Sequence, residues 1–317
     1  MTERIGEDKD GGEEQPARPR AKTSAKAPSK AGFDKKTIAL VYDFDGTLSP
    51  QPMQEYTVLP KIGVEPARFW AMVNREARAT ESDPMLVYMR HILEALERKR
   101  VHVKRGDFAE MAREIEYFPG VPGWFGRMNA YVRKRSRGQA KLRHYLVSAG
   151  QKEILDGASI RRHFRRIYAS EYHFNHHGVA TFPKFLVTDT LKTQFLFRIN
   201  KGIEAVTESI NEHMPEEERP IPFSNIVYVG DGMTDVPSMA LTKKNGGHTV
   251  AVYGPKDDRG RATCTKLLEA GRVDFVAEAD YRAASRLSRR VRLLLDAIVA
   301  DIAYRREAFR CRVENRR

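Results

Sequence analysis

The hydrophobic positions of this chain come in two textures that alternate along it. Short solid runs such as Thr37-Ile38-Ala39-Leu40-Val41-Tyr42, His144-Tyr145-Leu146-Val147 and Asn225-Ile226-Val227-Tyr228-Val229 are rich in β-branched and aromatic residues. They predict strands buried on both faces of a parallel sheet. Thr249 to Tyr253 and Val273 to Ala277 read the same way, and residues 167–187 read as short strands around the turn Phe174-Asn175-His176-His177-Gly178. After Leu48, and until about residue 118, the spacing becomes helical: Phe69, Met72 and Val73, then Met85, Val87, Tyr88, Ile92, Leu93 and Leu96, then Phe108, Met111 and Ile115. No strand signal interrupts this stretch, which predicts a helical subdomain inserted as a lid. Further helices are expected around Trp124, Phe125, Met128 and Val132, over Lys192 to Ile199, and from Tyr281 to Phe309, where Leu287, Val291, Leu294, Leu295, Ile298 and Ile302 share one face.

Strands alternating with helices predict an α/β protein with a Rossmann-like core and a parallel sheet. The boundaries read as a charged tail over 1–34, a core over 35–52 and 119–280, a helical cap over 53–118, and a basic amphipathic helix over 281–317. The tail is acidic up to Glu14, basic from Arg18 to Lys36, and without apolar periodicity, which predicts a solvated extension. Hydrophobic residues make up 41% of the 317, enough for a core, and no apolar run is long enough to cross a bilayer. An acidic start without an apolar h-region, and only two cysteines, Cys264 and Cys311, with no metal-ligand spacing, lead us to expect a cytoplasmic protein without a disulfide framework or zinc site. His173, His176 and His177 invite a metal reading, but no cysteine partners them and histidines are common in exposed turns. The formal charge of +13 attracts anions in general, so it does not choose among phosphorylated metabolites, nucleic acid and acidic membranes.

Chemistry concentrates where the predicted strands end. Asp43 and Asp45, in Asp43-Phe44-Asp45-Gly46-Thr47-Leu48, sit at the carboxyl end of the first strand, where ligands bind in open α/β sheets. Two like charges so close favour sharing a cation or proton, and a hard divalent metal suits them. Gly46 permits a sharp bend and Thr47 can hold it. Ser148-Ala149-Gly150, at the second strand's end and before a helical segment from Lys152 to Ser159, offers a hydroxyl and backbone N–H groups to an anion. Gly230-Asp231-Gly232-Met233-Thr234-Asp235 clusters acids again after the clearest later strand.

In this order the motifs resemble those of the haloacid dehalogenase (HAD) superfamily: Asp43-Phe44-Asp45-Gly46-Thr47, then Ser148, then Lys192, then Gly230 to Asp235. The helical insertion is similar to the C1-type cap of the phosphoserine-phosphatase-like branch. The resemblance implies that Asp43 is a nucleophile forming an aspartyl phosphate, and that Asp45 protonates the leaving group and then activates water. It implies that Thr47, Ser148, Ala149 and Gly150 contact the phosphate and that Lys192 neutralises charge. Mg²⁺ would be the cofactor, held by Asp43, Asp231 and Asp235 with the backbone carbonyl of Asp45. An acid at Asp45 serves an alkoxide leaving group rather than a halide, which favours a phosphatase over a dehalogenase. Phosphoserine phosphatases carry a cap glutamate soon after the first motif; here Ser49 to Gln54 occupy that stretch and Glu55 comes only later. Arg90 is a candidate for a substrate carboxylate or second phosphate, and Lys256 and Arg259 lie in a loop expected near the same mouth.

The expected activity is therefore Mg²⁺-dependent hydrolysis of a small phosphomonoester. A phosphatase or phosphotransferase acting on a nucleic-acid terminus is the rival that the basic segments favour, and a noncatalytic anion-binding module is a third reading. The sequence leaves the oligomeric state open.

Overall fold

The computed structural model describes residues 33–315; the acidic and basic tail expected over 1–34 lies almost wholly outside them. Seven strands form one sheet in the order β4-β3-β2-β1-β5-β6-β7. They are β1 (Thr37–Tyr42), β2 (Lys141–Gln151), β3 (Phe164–Phe174), β4 (Ala180–Phe185), β5 (Ile226–Gly230), β6 (His248–Tyr253) and β7 (Phe275–Glu278). All neighbours are parallel except β4, which returns antiparallel along β3 after the turn at Asn175 to Gly178. This α/β architecture is the one the apolar runs predicted.

β1 is central, and its residues show why a solid apolar run suits that place. Ile38, Leu40 and Tyr42 enter the core on one face, while Ala39 and Val41 enter a second core on the other. Period-two alternation thus gives both faces something to bury. Tyr42 lies level with Leu146 of β2 and Val229 of β5, so the loops leaving these three strands meet at one edge.

Between β1 and β2 the chain forms α1 (Met53–Tyr56), α2 (Val58–Ile62), α3 (Pro66–Thr80), α4 (Pro84–Arg98), α5 (Arg105–Met111) and α6 (Val121–Arg135). α3 and α4 start alike. An acidic side chain, Glu65 or Asp83, accepts from the first free backbone N–H groups, and a proline fills the next position. Phe69 and Val73 of α3 and Val87, Tyr88 and Ile92 of α4 are buried, in the same hydrophobic cluster as the sheet's Leu40 and Leu146. The inserted helices therefore share a continuous core with one face of the sheet.

The remaining helices are α7 (Lys152–Gly157), α8 (Lys192–Lys201), α9 (Val236–Lys244), α10 (Asp258–Glu269) and α11 (Arg286–Glu314). In α11 the six predicted apolar residues are buried, and its approach brings Tyr281 into the interior. The Tyr281 hydroxyl donates to the Thr47 carbonyl at 2.7 Å, and its N–H donates to Pro119 O at 2.8 Å. No helix among the described residues is long and apolar enough to cross a membrane.

Two expectations change. The second strand does not stop at Val147: it runs to Gln151, with a register shift against β3 between Val147 and Gln151, so Ser148 to Gly150 occupy a bulge. Bulges re-aim backbone and side chains beside active sites. The helix that follows has only six residues, too short for much of a dipole.

Candidate active site

Asp43 is the first residue past β1, and its N–H donates to Val229 O at 3.0 Å, so strand pairing continues far enough to set it beside the β5 loop. Phe44 turns into the core, and its carbonyl accepts from the N–H groups of Thr47, Leu48 and Ser49. Gly46 is required here twice over. Its φ is +74°, and a Cβ would sit 2.3 Å from Asp231 Oδ2.

The charged centre is compact. Lys192, at the start of α8 and 1% exposed, places Nζ 3.1 Å from Asp43 Oδ2 and 2.8 Å from Asp235 Oδ1. Asp235 Oδ1 also accepts from the Tyr228 hydroxyl at 2.7 Å, and Oδ2 from the Asp231 N–H at 3.2 Å. Asp43, Asp231 and Asp235 each offer an oxygen within 4.8 Å of the others. Three carboxylates thus face one ammonium in a buried place. Burial pushes Asp43 up to about 7 against the pull of Lys192, and burial, then Asp235 and Asp43, push Asp231 well above the usual carboxylate range. Burial opposes the charge on Lys192, but Asp235 and then Asp43 overcome it and raise its pKa. Such surplus negative charge suits a hard divalent cation with oxygen ligands. Asp43 and Asp231 would be the better ligands for one, because both oxygens of Asp235 already serve protein donors.

Asp45 stands slightly apart. Its Oδ1 accepts from the Met53 N–H at 2.8 Å, and its side chain is not among the three that converge. Burial, then the charge of Asp43, pushes it up to about 8, which favours the protonated form over the carboxylate.

The residues expected to contact phosphate are placed unequally. Ser148 is buried at the bulge and Ala149 and Gly150 line a cavity of about 270 Å³ beside Asp45. The Gly150 N–H, however, donates to Ser148 Oγ at 3.0 Å. Thr47 is fully buried, and its hydroxyl donates to Asp231 Oδ1 at 3.4 Å. Arg90 does not reach the cavity: it projects from the outer face of α4 and pairs with Glu76 and Glu94. Lys256 is exposed on a loop whose Gly254, Pro255 and Asp257 border a second opening beside Asp231 and Gly46, whereas Arg259, expected on the same loop, is exposed in the first turn of α10. His173 bonds Thr181 and stacks on Phe182, within the β3–β4 hairpin.

Several residues of the site escaped sequence reasoning. Tyr228 looked like one more apolar strand residue. Gln54, Glu55 and Trp70 line the cavity from α1 and α3, and Trp70 falls one position off the apolar spacing of its helix. Below the site a buried polar line runs from Trp124 Nε1 to the Tyr42 hydroxyl (2.9 Å) and on to His144 Nδ1 (3.0 Å). Tyr42, His144 and Tyr228 share one signal, a polar atom inside an apolar run.

Residues 40–240 match the haloacid dehalogenase-like hydrolase family, and the chain belongs to it. An uncharacterized protein of Borreliella burgdorferi is 27% identical over 281 residues, which span 79% of this chain and 93% of that one. Among solved structures, the probable phosphoserine phosphatase from Vibrio cholerae in its unliganded form has the same fold, with a TM-score of 0.52 at 15% identity over 86% of this chain and 68% of its own. A substrate-bound phosphoserine phosphatase complex gives 0.49 at 16% identity, over 76% of this chain and 92% of its own. The fold expected from the four motifs is the fold observed.

Proposed function

We propose that this hydrolase is a phosphomonoesterase acting on a small phosphorylated substrate through an aspartyl phosphate on Asp43, with Mg²⁺ as cofactor. The observation behind this reading is the meeting of Asp43, Lys192, Asp231 and Asp235 at the sheet's carboxyl edge, with a protonated Asp45 two residues from the nucleophile.

In the first half-reaction an Asp43 oxygen attacks phosphorus and the ester P–O bond breaks, while the Asp45 proton passes to the departing alkoxide. In the second, Asp45, now a carboxylate, takes a proton from water; the water oxygen attacks phosphorus, the bond to Asp43 breaks, and inorganic phosphate leaves. Splitting the displacement in two is what covalent catalysis contributes. Lys192 offsets the repulsion between a carboxylate and a phosphate dianion, and the Ser148 hydroxyl holds a phosphate oxygen. Asp43 and Asp231, supported by Asp235 and joined by the Asp45 carbonyl, would hold Mg²⁺, which when bound draws negative charge from the phosphoryl group. The small cavity beside Asp45 favours a metabolite-sized leaving group over a polynucleotide end.

Asp43→Asn should lower hydrolysis of an aryl phosphate by a factor of about 10³ or more, and chelation of Mg²⁺ should do the same reversibly. Turnover retained in Asp43→Asn removes Asp43 as the nucleophile.

A further inference from the structure

The cavity beside Asp45 differs in kind from the charged centre behind it. Trp70, Met85 and Tyr88 wall it, with Gln54, Glu55 and Asp45, and among the described residues no lysine, arginine or histidine lines it. Its polar groups are short of donors. Glu55 Oε1 accepts the Trp70 indole N–H at 2.8 Å, which leaves Oε2 for a ligand. Gln54 is 3% exposed, and its Oε1 has no hydrogen-bond partner. The Tyr88 phenol already gives its proton to Ala149 O at 3.2 Å. Arg90, two residues along α4, is held on the outer face by Glu76 and Glu94.

A leaving group bearing a carboxylate or a second phosphate would enter this space without a counter-charge, next to Glu55 and Asp45. A protonated amine would meet the free Glu55 oxygen with charge-assisted hydrogen bonds. It would also lie beside two aromatic rings, Trp70 and Tyr88, whose centroids are 5.8 Å apart with planes inclined at 66°; such rings attract cations. The volume, about 270 Å³, suits an alcohol of few heavy atoms.

Building on the phosphomonoesterase reading above, we propose that this cavity selects phosphomonoesters of small amino alcohols that lack a carboxylate, with the ammonium group resting against Glu55 and the aromatic walls of Trp70 and Tyr88.

The test measures kcat/KM of the full chain, loaded with Mg²⁺, on aminoethyl phosphate, its neutral counterpart propyl phosphate, phosphoserine and an aryl phosphate. Aminoethyl phosphate should exceed both propyl phosphate and phosphoserine by about tenfold or more, the scale of a charge-assisted hydrogen bond. Glu55→Gln and Trp70→Leu should each cut the ratio of aminoethyl to propyl phosphate, the first by about tenfold. A ratio taken within one variant is insensitive to any loss of folded enzyme. If phosphoserine is used as well as aminoethyl phosphate, or if neither variant changes the ratio, the inference falls while aryl phosphate turnover leaves the phosphatase reading standing. Absence of turnover on every ester overturns both.

Discussion

The two ends of the site contrast in how completely their polar atoms are engaged. At the charged centre Asp235 accepts three hydrogen bonds, Lys192 bridges two carboxylates, and Gly46 and Gly230 leave no room for a Cβ beside Asp231 and Asp235. In the cavity beside Asp45, aromatic walls surround Gln54, whose Oε1 has no hydrogen-bond partner, and Glu55, of which only Oε1 accepts a protein donor. The first end is over-determined because buried charges tolerate no loose partner. The second is set by a few side chains from separate helices, and small changes there can redirect selectivity without touching the chemistry.

The contrast breaks most severely at Lys192. Lys192→Met leaves Asp43 and Asp235 buried without their cation; we expect a stability loss of about 3 kcal/mol or more by urea denaturation and a fall in turnover of about 10³ or more. A variant that melts and turns over like the parent would show that the carboxylates do not depend on it. Gly46→Ala tests the space rather than the charge. With φ at +74° and Asp231 Oδ2 in the way, kcat/KM should drop by roughly 10²-fold with weaker Mg²⁺ activation; an unaltered Mg²⁺ titration would sink this assignment.

Acid separates the ends next. His144, 2% exposed under the charged centre, is held neutral by burial and then by His163, with its pKa pushed down to about 3. The unfolded chain takes up that proton below about 6.5, so this stability is whole above pH 6.5 and drains away as pH falls, at about 1.4 kcal/mol per pH unit until about pH 3. Denaturation curves between pH 4 and 6.5, approximately the informative window, should show one proton less of slope in His144→Gln. Equal slopes in the two proteins would clear His144 of the effect. The smallest change concerns the other end: Tyr88→Phe removes the tie from α4 to Ala149 O and should cost about 0.5–1.5 kcal/mol, with KM altered more than kcat. An effect confined to kcat would argue against Tyr88 as a wall of the substrate cavity.

The same contrast explains what could be read in advance. β1 and β5 were legible because a strand buried on both faces must be apolar throughout, and the acids following them stood out against it. Lys192 and Ser148 were legible only through their order relative to those acids. The bulge at Ser148 was not, since apolarity does not encode register. Nor was the cavity: Gln54 and Glu55 from α1 meet Trp70 of α3 and Tyr88 of α4, and helical spacing tells which face is buried but not which helix it faces. Arg90, for the same reason not placed by its spacing, lies on the side of α4 away from the cavity and pairs with Glu76 of α3.

The hydrogen bond from Tyr281 to Thr47 spans 234 positions. Translation makes the loop that follows Asp43 well before it makes the brace, with 234 positions between Thr47 and Tyr281. A nascent chain on the ribosome therefore holds Asp43 long before it holds the clamp on that loop, and arrest of synthesis before Tyr281 yields a product that carries Asp43 but not the contact that steadies its loop.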